Sequence, residues 1–310
     1  MWMPFVFVGL ICSLASVGSA AEPVSKSASP PPTDVDVAYG KHERQKLDLW
    51  RVRSARRTAV VVFIHGGGWR GGDKADVPAK LCEAMLAKGV AVASINYRFT
   101  HTAQIPTPLH DAAQAVQYLR VHAKSFNIDP ERIAAYGISA GGVSALWLAL
   151  HDDLADPKSV DPVLRESSRL TTAVGMSPPV CLDPLEAKSW MGDQVLAHPM
   201  IARAVGAKSG EEVLRRYDEF ASRLREASPY FHVSGDDPPI MASFLRIDPL
   251  PATTPGSAIH HALFGEKLKQ KCDAVGAICV RRIEERPEPS VPTPEEFILN
   301  HLQADAHLRD

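Results

Sequence analysis

Cysteine is scarce in this sequence, and neither sign of charge is in excess. The chain of 310 residues holds five cysteines, none in a Cys-x-x-Cys pair, so their spacing suits neither a zinc site nor a dense disulfide framework. Cys272 and Cys279 are near enough to pair in an exported chain, but two free buried thiols are the simpler expectation. Lys and Arg number 34 against 36 Asp and Glu, a net charge of −2 that offers no basic field to nucleic acid or an anionic membrane. No internal repeat occurs. Histidine is missing throughout the stretch between His261 and His301, an absence that matters below.

The chain opens with "MWMPFVFVGLICSLASVGSA", which carries no charged side chain and ends in small residues. An apolar run leading to Gly18, Ser19, Ala20 and Ala21 reads as a signal peptide over residues 1–20. A stable membrane span needs about 20 apolar residues, and this run is shorter. The expectation is a secreted or periplasmic mature chain with no stable membrane span. Residues 21–34, rich in proline and serine, read as a flexible linker.

From residue 35 the pattern alternates between strands and helices. "VDVAYG" and "QKLDLWRV" form an expected antiparallel hairpin, and the β-branched run "TAVVVFIH" (58–65) suits a strand buried on both faces. Further strands are expected at 90–98, 132–137, 170–177, 238–245 and 277–285, with helices at 77–89, 108–126, 142–151 and 258–274. The last helix starts at a capping box of Thr293 and Glu296. This order predicts one α/β domain over residues 35–310 with a mostly parallel central sheet. The segment 182–236 interrupts it with helices of its own and reads as a lid, because ligands bind at the carboxyl ends of parallel strands.

Two glycine-rich turns carry the chemistry. Gly137-Ile138-Ser139-Ala140-Gly141 follows a strand and precedes a helix, the setting of a nucleophile elbow. Such a turn is too tight for side chains two residues either side of the serine, hence the glycines, and it exposes Ser139 at a helix N-terminus. His65-Gly66-Gly67-Gly68-Trp69 follows the 58–65 strand. Its backbone approaches closely enough for the N–H groups of Gly67 and Gly68, with that of Ala140, to form an oxyanion hole. His65 reads as a residue that holds this loop rather than as a base.

"HGGGWRGGDK", "NYR" and "DPERIAAYGISAGG" together resemble the α/β-hydrolase superfamily, nearest to the hormone-sensitive-lipase-like and BD-FAE-like esterases, a group that includes feruloyl and acetyl-xylan esterases. The resemblance covers roughly residues 35–305, and the specific motifs lie in its first half. It implies a serine esterase with triad order Ser, Asp or Glu, then His, no cofactor, and a small-molecule or polysaccharide ester as substrate; no metal is expected, since the adjacent His260 and His261 have no second ligand group near them in the sequence. It also implies an acid after the strand that follows the lid, where "FLRIDPLP" offers Asp248.

The base implied by the resemblance should follow the last strand, in "IEERPEPSVP", which contains no histidine. Glu284, Glu285 and Glu288 stand there, and an exposed carboxylate is a poor base for a hydroxyl unless its pKa is raised. His260 and His261 follow Asp248 by twelve and thirteen residues and supply a relocated base, with His261 taken as the candidate. His301 reads as a packing residue, and His232 borders the lid. Two functions stay open: an ester hydrolase acting through Ser139, or a catalytically weak or inactive homologue that binds ligands.

Overall fold

The structure is a computed structural model and describes residues 29–307. The signal-peptide expectation and residues 21–28 of the expected linker lie outside the described residues. The rest of that linker is tied down: Ser29 Oγ donates to the Val77 carbonyl at 2.9 Å, and Trp50 Nε1 donates to that of Pro30 at 2.5 Å.

The expected hairpin forms from β1 (Asp34–Ala38) and β2 (Lys46–Trp50), paired antiparallel. After β3 (Thr58–Ile64) come α1 (Ala79–Ala87), β4 (Ala91–Ile95), α2 (Thr107–Val121), α3 (Ala123–Phe126), β5 (Ile128–Ile138), α4 (Ala140–Leu150) and β6 (Thr172–Met176). A helical excursion follows: α5 (Pro184–Met191), α6 (Gln194–Ala197), α7 (Pro199–Ala204), α8 (Gly210–Arg215) and α9 (Tyr217–Glu226). The chain returns as β7 (Ile240–Phe244), α10 (Pro255–Ile259), α11 (Leu263–Val275), β8 (Cys279–Ile283) and α12 (Pro294–His307).

The eight strands form one sheet in the order β1-β2-β4-β3-β5-β6-β7-β8, parallel from β4 to β8. β3 shows why. Every residue of it is buried, and alternate side chains feed opposite faces: Val60, Val62 and Ile64 join the core under α2 and α4, whereas Ala59, Val61 and Phe63 pack toward α1 and α12. A strand with two apolar faces needs a helical layer on each. Cys82, Cys181, Cys272 and Cys279 are free and buried. Among the described residues no helix is long and apolar enough to cross a membrane.

One boundary departs from expectation in a way that matters. The helix expected over 258–274 is two helices, broken at residues 260–262. The His261 ring accepts the Leu263 N–H at its Nδ1 (3.0 Å), which gives α11 its own start and leaves His260 at the end of α10.

Candidate active site

Ser139 sits between β5 and α4 with φ +55°, a left-handed backbone conformation rare for a residue with a side chain. The turn is held from both sides: Ser139 N–H donates to the Met176 carbonyl at 2.8 Å, and the Ser139 carbonyl accepts the first α4 bond from Val143 at 2.9 Å. Its flanking glycines are obligatory. A Cβ on Gly137 would lie 2.0 Å from the Gly141 carbonyl oxygen, and one on Gly141 would lie 2.0 Å from that of Ile64.

The glycine loop after β3 arches over the same turn, so that a Cβ on Gly66 would come within 3.5 Å of the Ser139 Cβ. Gly67 and Gly68 have φ of +95° and +61°. Among the described residues the N–H groups of Gly67, Gly68 and Ala140 have no hydrogen-bond partner, as donors awaiting an oxyanion require. The loop is pinned by the sequence motifs around it. Lys74 is buried and pairs with Asp48 at 2.7 Å, and Asn96 accepts from Lys74 N–H at 2.8 Å while donating to Asp73 at 2.7 Å. His65 stacks on Tyr97 with ring centroids 4.3 Å apart, and the Tyr97 hydroxyl donates to the His65 carbonyl at 2.7 Å. Burial holds the His65 pKa below its usual value. It is a loop holder, as the sequence suggests.

Two lobes of a cleft meet at Ser139 and His260, the two residues that line both. The first lobe, of about 290 Å³, is lined also by Ile138, Leu245, Arg246 and Asp248. The second, of about 380 Å³, contains Gly67, Gly68, Arg70, His198 and Arg203. His260 Nδ1 lies 2.9 Å from the Ser177 carbonyl oxygen. A carbonyl only accepts, so the ring hydrogen is on Nδ1 and the lone pair on Nε2, the form a general base needs. Among the described residues Ser139 Oγ makes no hydrogen bond. Catalytic contacts are often open before substrate binds.

The geometry redirects two sequence expectations. His261 is 2% exposed, and both its ring nitrogens are engaged, Nε2 with the Asp248 carbonyl at 2.8 Å and Nδ1 with Leu263 N–H, so it braces the chain and its neighbour faces the cleft. Asp248 does line the first lobe, but its carboxylate pairs with Arg246 at 3.0 Å and reaches no histidine. Of the glutamates after β8, Glu284 accepts from Ser243 and Arg282, while Glu285 and Glu288 line other grooves. His301 caps back onto the Phe297 carbonyl, a packing role.

Sequence reasoning missed Ser177, Arg70, Arg203 and His198. Arg70 and Arg203 are exposed on the second lobe and have no ion-pair partner among the described residues. His198 accepts from Met200 N–H through Nδ1 at 3.3 Å, so its Nε2 carries the hydrogen and acts as a donor. Burial, and after it the neighbouring His260, keeps the His198 pKa below the usual histidine value.

Comparison with known proteins places this architecture. The BD-FAE family pattern matches residues 47–263. A probable carboxylic ester hydrolase, LipM, of Mycobacterium tuberculosis is 28% identical over 221 residues, 70% of this chain and 48% of that protein. The versiconal hemiacetal acetate esterase of Dothistroma septosporum is 33% identical over 138 residues, 44% of this chain and 40% of that one. The chain thus spans less than half the length of these two relatives. Among solved structures, a truncated carbohydrate esterase from gut microbiota superposes with a TM-score of 0.68 at 21% identity, covering 91% of this chain and 99% of that one, a likeness of fold. With the family pattern running from β2 through both glycine turns to α11, the chain belongs to the BD-FAE family of α/β-hydrolase esterases.

Proposed function

We propose that this protein is a secreted serine carboxylic-ester hydrolase in which His260, held by the Ser177 carbonyl, is the base for Ser139. One observation carries this reading: the nitrogen left free by the Ser177 contact belongs to a ring that shares both lobes of the cleft with Ser139. His260 Nε2 takes the Ser139 proton as Oγ attacks the acyl carbon. The oxyanion settles on the N–H groups of Gly67, Gly68 and Ala140. The protonated His260 then returns its proton to the departing alkoxide, and a water activated by the same nitrogen releases the acid and restores Ser139.

The main-chain carbonyl of Ser177 does the orienting that a carboxylate does in a full triad. It fixes the tautomer but brings no charge to an imidazolium, so turnover is slower than in a Ser-His-Asp enzyme. Ile138 and Leu245 suit the first lobe to the acyl group. The guanidiniums of Arg70 and Arg203 and the His198 donor suit the second to a hydroxyl-rich or anionic alcohol, such as an acylated sugar or uronic acid. A relative of the same fold is a carbohydrate esterase, which agrees with that assignment.

Hydrolysis of p-nitrophenyl acetate and of acetylated xylo-oligosaccharides by wild type and Ser139→Ala tests this. Turnover that falls at least a thousandfold in the variant supports it. A second reading, a ligand-binding homologue, draws on the Asp248 carboxylate being tied to Arg246. Sugar-ester binding without turnover would establish that reading and overturn the first.

A further inference from the structure

Behind the lid, away from Ser139, three side chains converge with no role in ester hydrolysis. His151 follows the last residue of α4, Glu226 ends α9, and His232 lies on the return toward β7. One potential ligand atom from each lies within 4.8 Å of the other two. The ligands are 75 and 6 residues apart in sequence, so no spacing motif announces them.

With a neutral imidazole the hydrogen bonding around His151 does not close by itself. Its Nδ1 is 2.8 Å from the Asp152 carbonyl, and its Nε2 is 3.0 Å from Glu226 Oε1. Both partners are acceptors, and a neutral imidazole has one N–H. With that hydrogen on Nδ1, a nitrogen lone pair faces a carboxylate oxygen, and a cation between them resolves the contact. His232 is anchored in the same way, Nε2 to the Glu226 carbonyl at 2.6 Å, which leaves a lone pair on Nδ1. A carbonyl on the far nitrogen is how proteins orient imidazoles toward metals.

We propose that His151, Glu226 and His232 form a site for a divalent transition-metal ion of the Zn²⁺ class. Two imidazoles and one carboxylate suit such ions, with water completing the shell, since all three residues are half-buried. Ligands about 2.0–2.1 Å from Zn²⁺ stand roughly 3.4 Å apart, so closing the site from its present spacing needs small side-chain shifts. Trp147 forms the wall: its ring lies 4.3 Å from that of His151, and its Nε1 donates to the Glu226 carbonyl at 2.7 Å.

The ion would clamp the last lid helix to the carboxyl end of α4. That helix has 11 residues at about 1.5 Å each, so the clamp is roughly 16 Å from the nucleophile and its role is structural.

The test is Zn²⁺ titration of the full chain after chelator treatment, by calorimetry and thermal melting, with His151→Gln, Glu226→Gln and His232→Gln in parallel. One Zn²⁺ per chain at micromolar affinity or tighter is expected, weakened at least tenfold in each variant. The wild-type Tm should climb with the logarithm of free Zn²⁺ and that of Glu226→Gln should not. Glu226→Gln keeps the carbonyl used by Trp147 and His232, and its metal-free Tm and p-nitrophenyl acetate rate should match wild type. Electron paramagnetic resonance of the Cu²⁺-loaded wild type should show two imidazole nitrogens, a readout independent of any variant. Absence of stoichiometric binding, or binding undiminished in all three variants, would overturn the proposal and leave His151 as an imidazolium paired with Glu226.

Discussion

His260 Nδ1 stands 2.9 Å from the carbonyl oxygen of Ser177, a residue 83 positions earlier in the chain. This contact joins the break between α10 and α11 to the end of β6 and directs Nε2 away from Ser177. Under the proposed function it substitutes for the missing histidine after β8, since α10 and His260 line the cleft that also holds Ser139.

If Ser177 orients His260, the side chain of Asp248 is nearly dispensable. Asp248→Asn should lower kcat/KM by less than tenfold, since its carboxylate serves Arg246. His260→Ala should lower it by about 10²–10⁴, the usual worth of a general base. Steady-state kinetics on p-nitrophenyl acetate check both.

The elbow glycines separate steric need from propensity. Gly141→Ala places a Cβ 2.0 Å from the Ile64 oxygen and should cost at least about 3 kcal/mol, the upper end for overpacking. On α10, Gly256→Ala meets nothing within 4 Å and should stabilise by about 0.4–1 kcal/mol. Urea denaturation of the two variants reads the contrast.

The proposed function gives Arg70 and Arg203, which line the second lobe, the preference for the alcohol. The double variant Arg70→Ala/Arg203→Ala should raise KM for acetylated uronic-acid oligosaccharides at least tenfold and change that for p-nitrophenyl acetate less than threefold. Equal changes for both esters would remove the arginines from substrate recognition.

The helical excursion between β6 and β7 is held by a buried carboxylate. Asp183 accepts from Arg225 at 2.7 Å, from the Tyr217 hydroxyl at 2.8 Å and from Leu185 N–H at 3.0 Å. Burial works to raise its pKa, but these donors prevail and hold it below the usual carboxylate value. Asp183→Asn should therefore lose about 1.5–3 kcal/mol, the worth of charged hydrogen bonds, measured as a drop in Tm at neutral pH. Because the folded-state pKa is depressed, that contribution is present at neutral pH and is lost as pH falls through the carboxylate range.

Much of this was legible in the sequence because its signals are local. A β-branched run such as Thr58–Ile64 has few ways to satisfy its apolar faces, and glycines two residues either side of Ser139 mark a turn that tolerates nothing larger. The proposed base was only half legible. Two adjacent histidines could be seen, but the choice between them depended on a helix break made by the His261 ring capping its own successor. The partner of His260 was invisible, since a main-chain carbonyl has no residue type. Arg70 and Arg203 were unreadable for another reason: they line one lobe only through the path of the helical excursion, which the periodicity of its helices does not determine.

The most direct measurement is the rate of fluorophosphonate labelling of Ser139, per folded molecule, in wild type, His260→Ala and His261→Asn. In His261→Asn the new amide oxygen can still accept the Leu263 N–H. A fall of at least a hundredfold in His260→Ala, with His261→Asn within threefold of wild type, is the predicted result. Labelling of His260→Ala at the wild-type rate would contradict the assignment of His260 as the base.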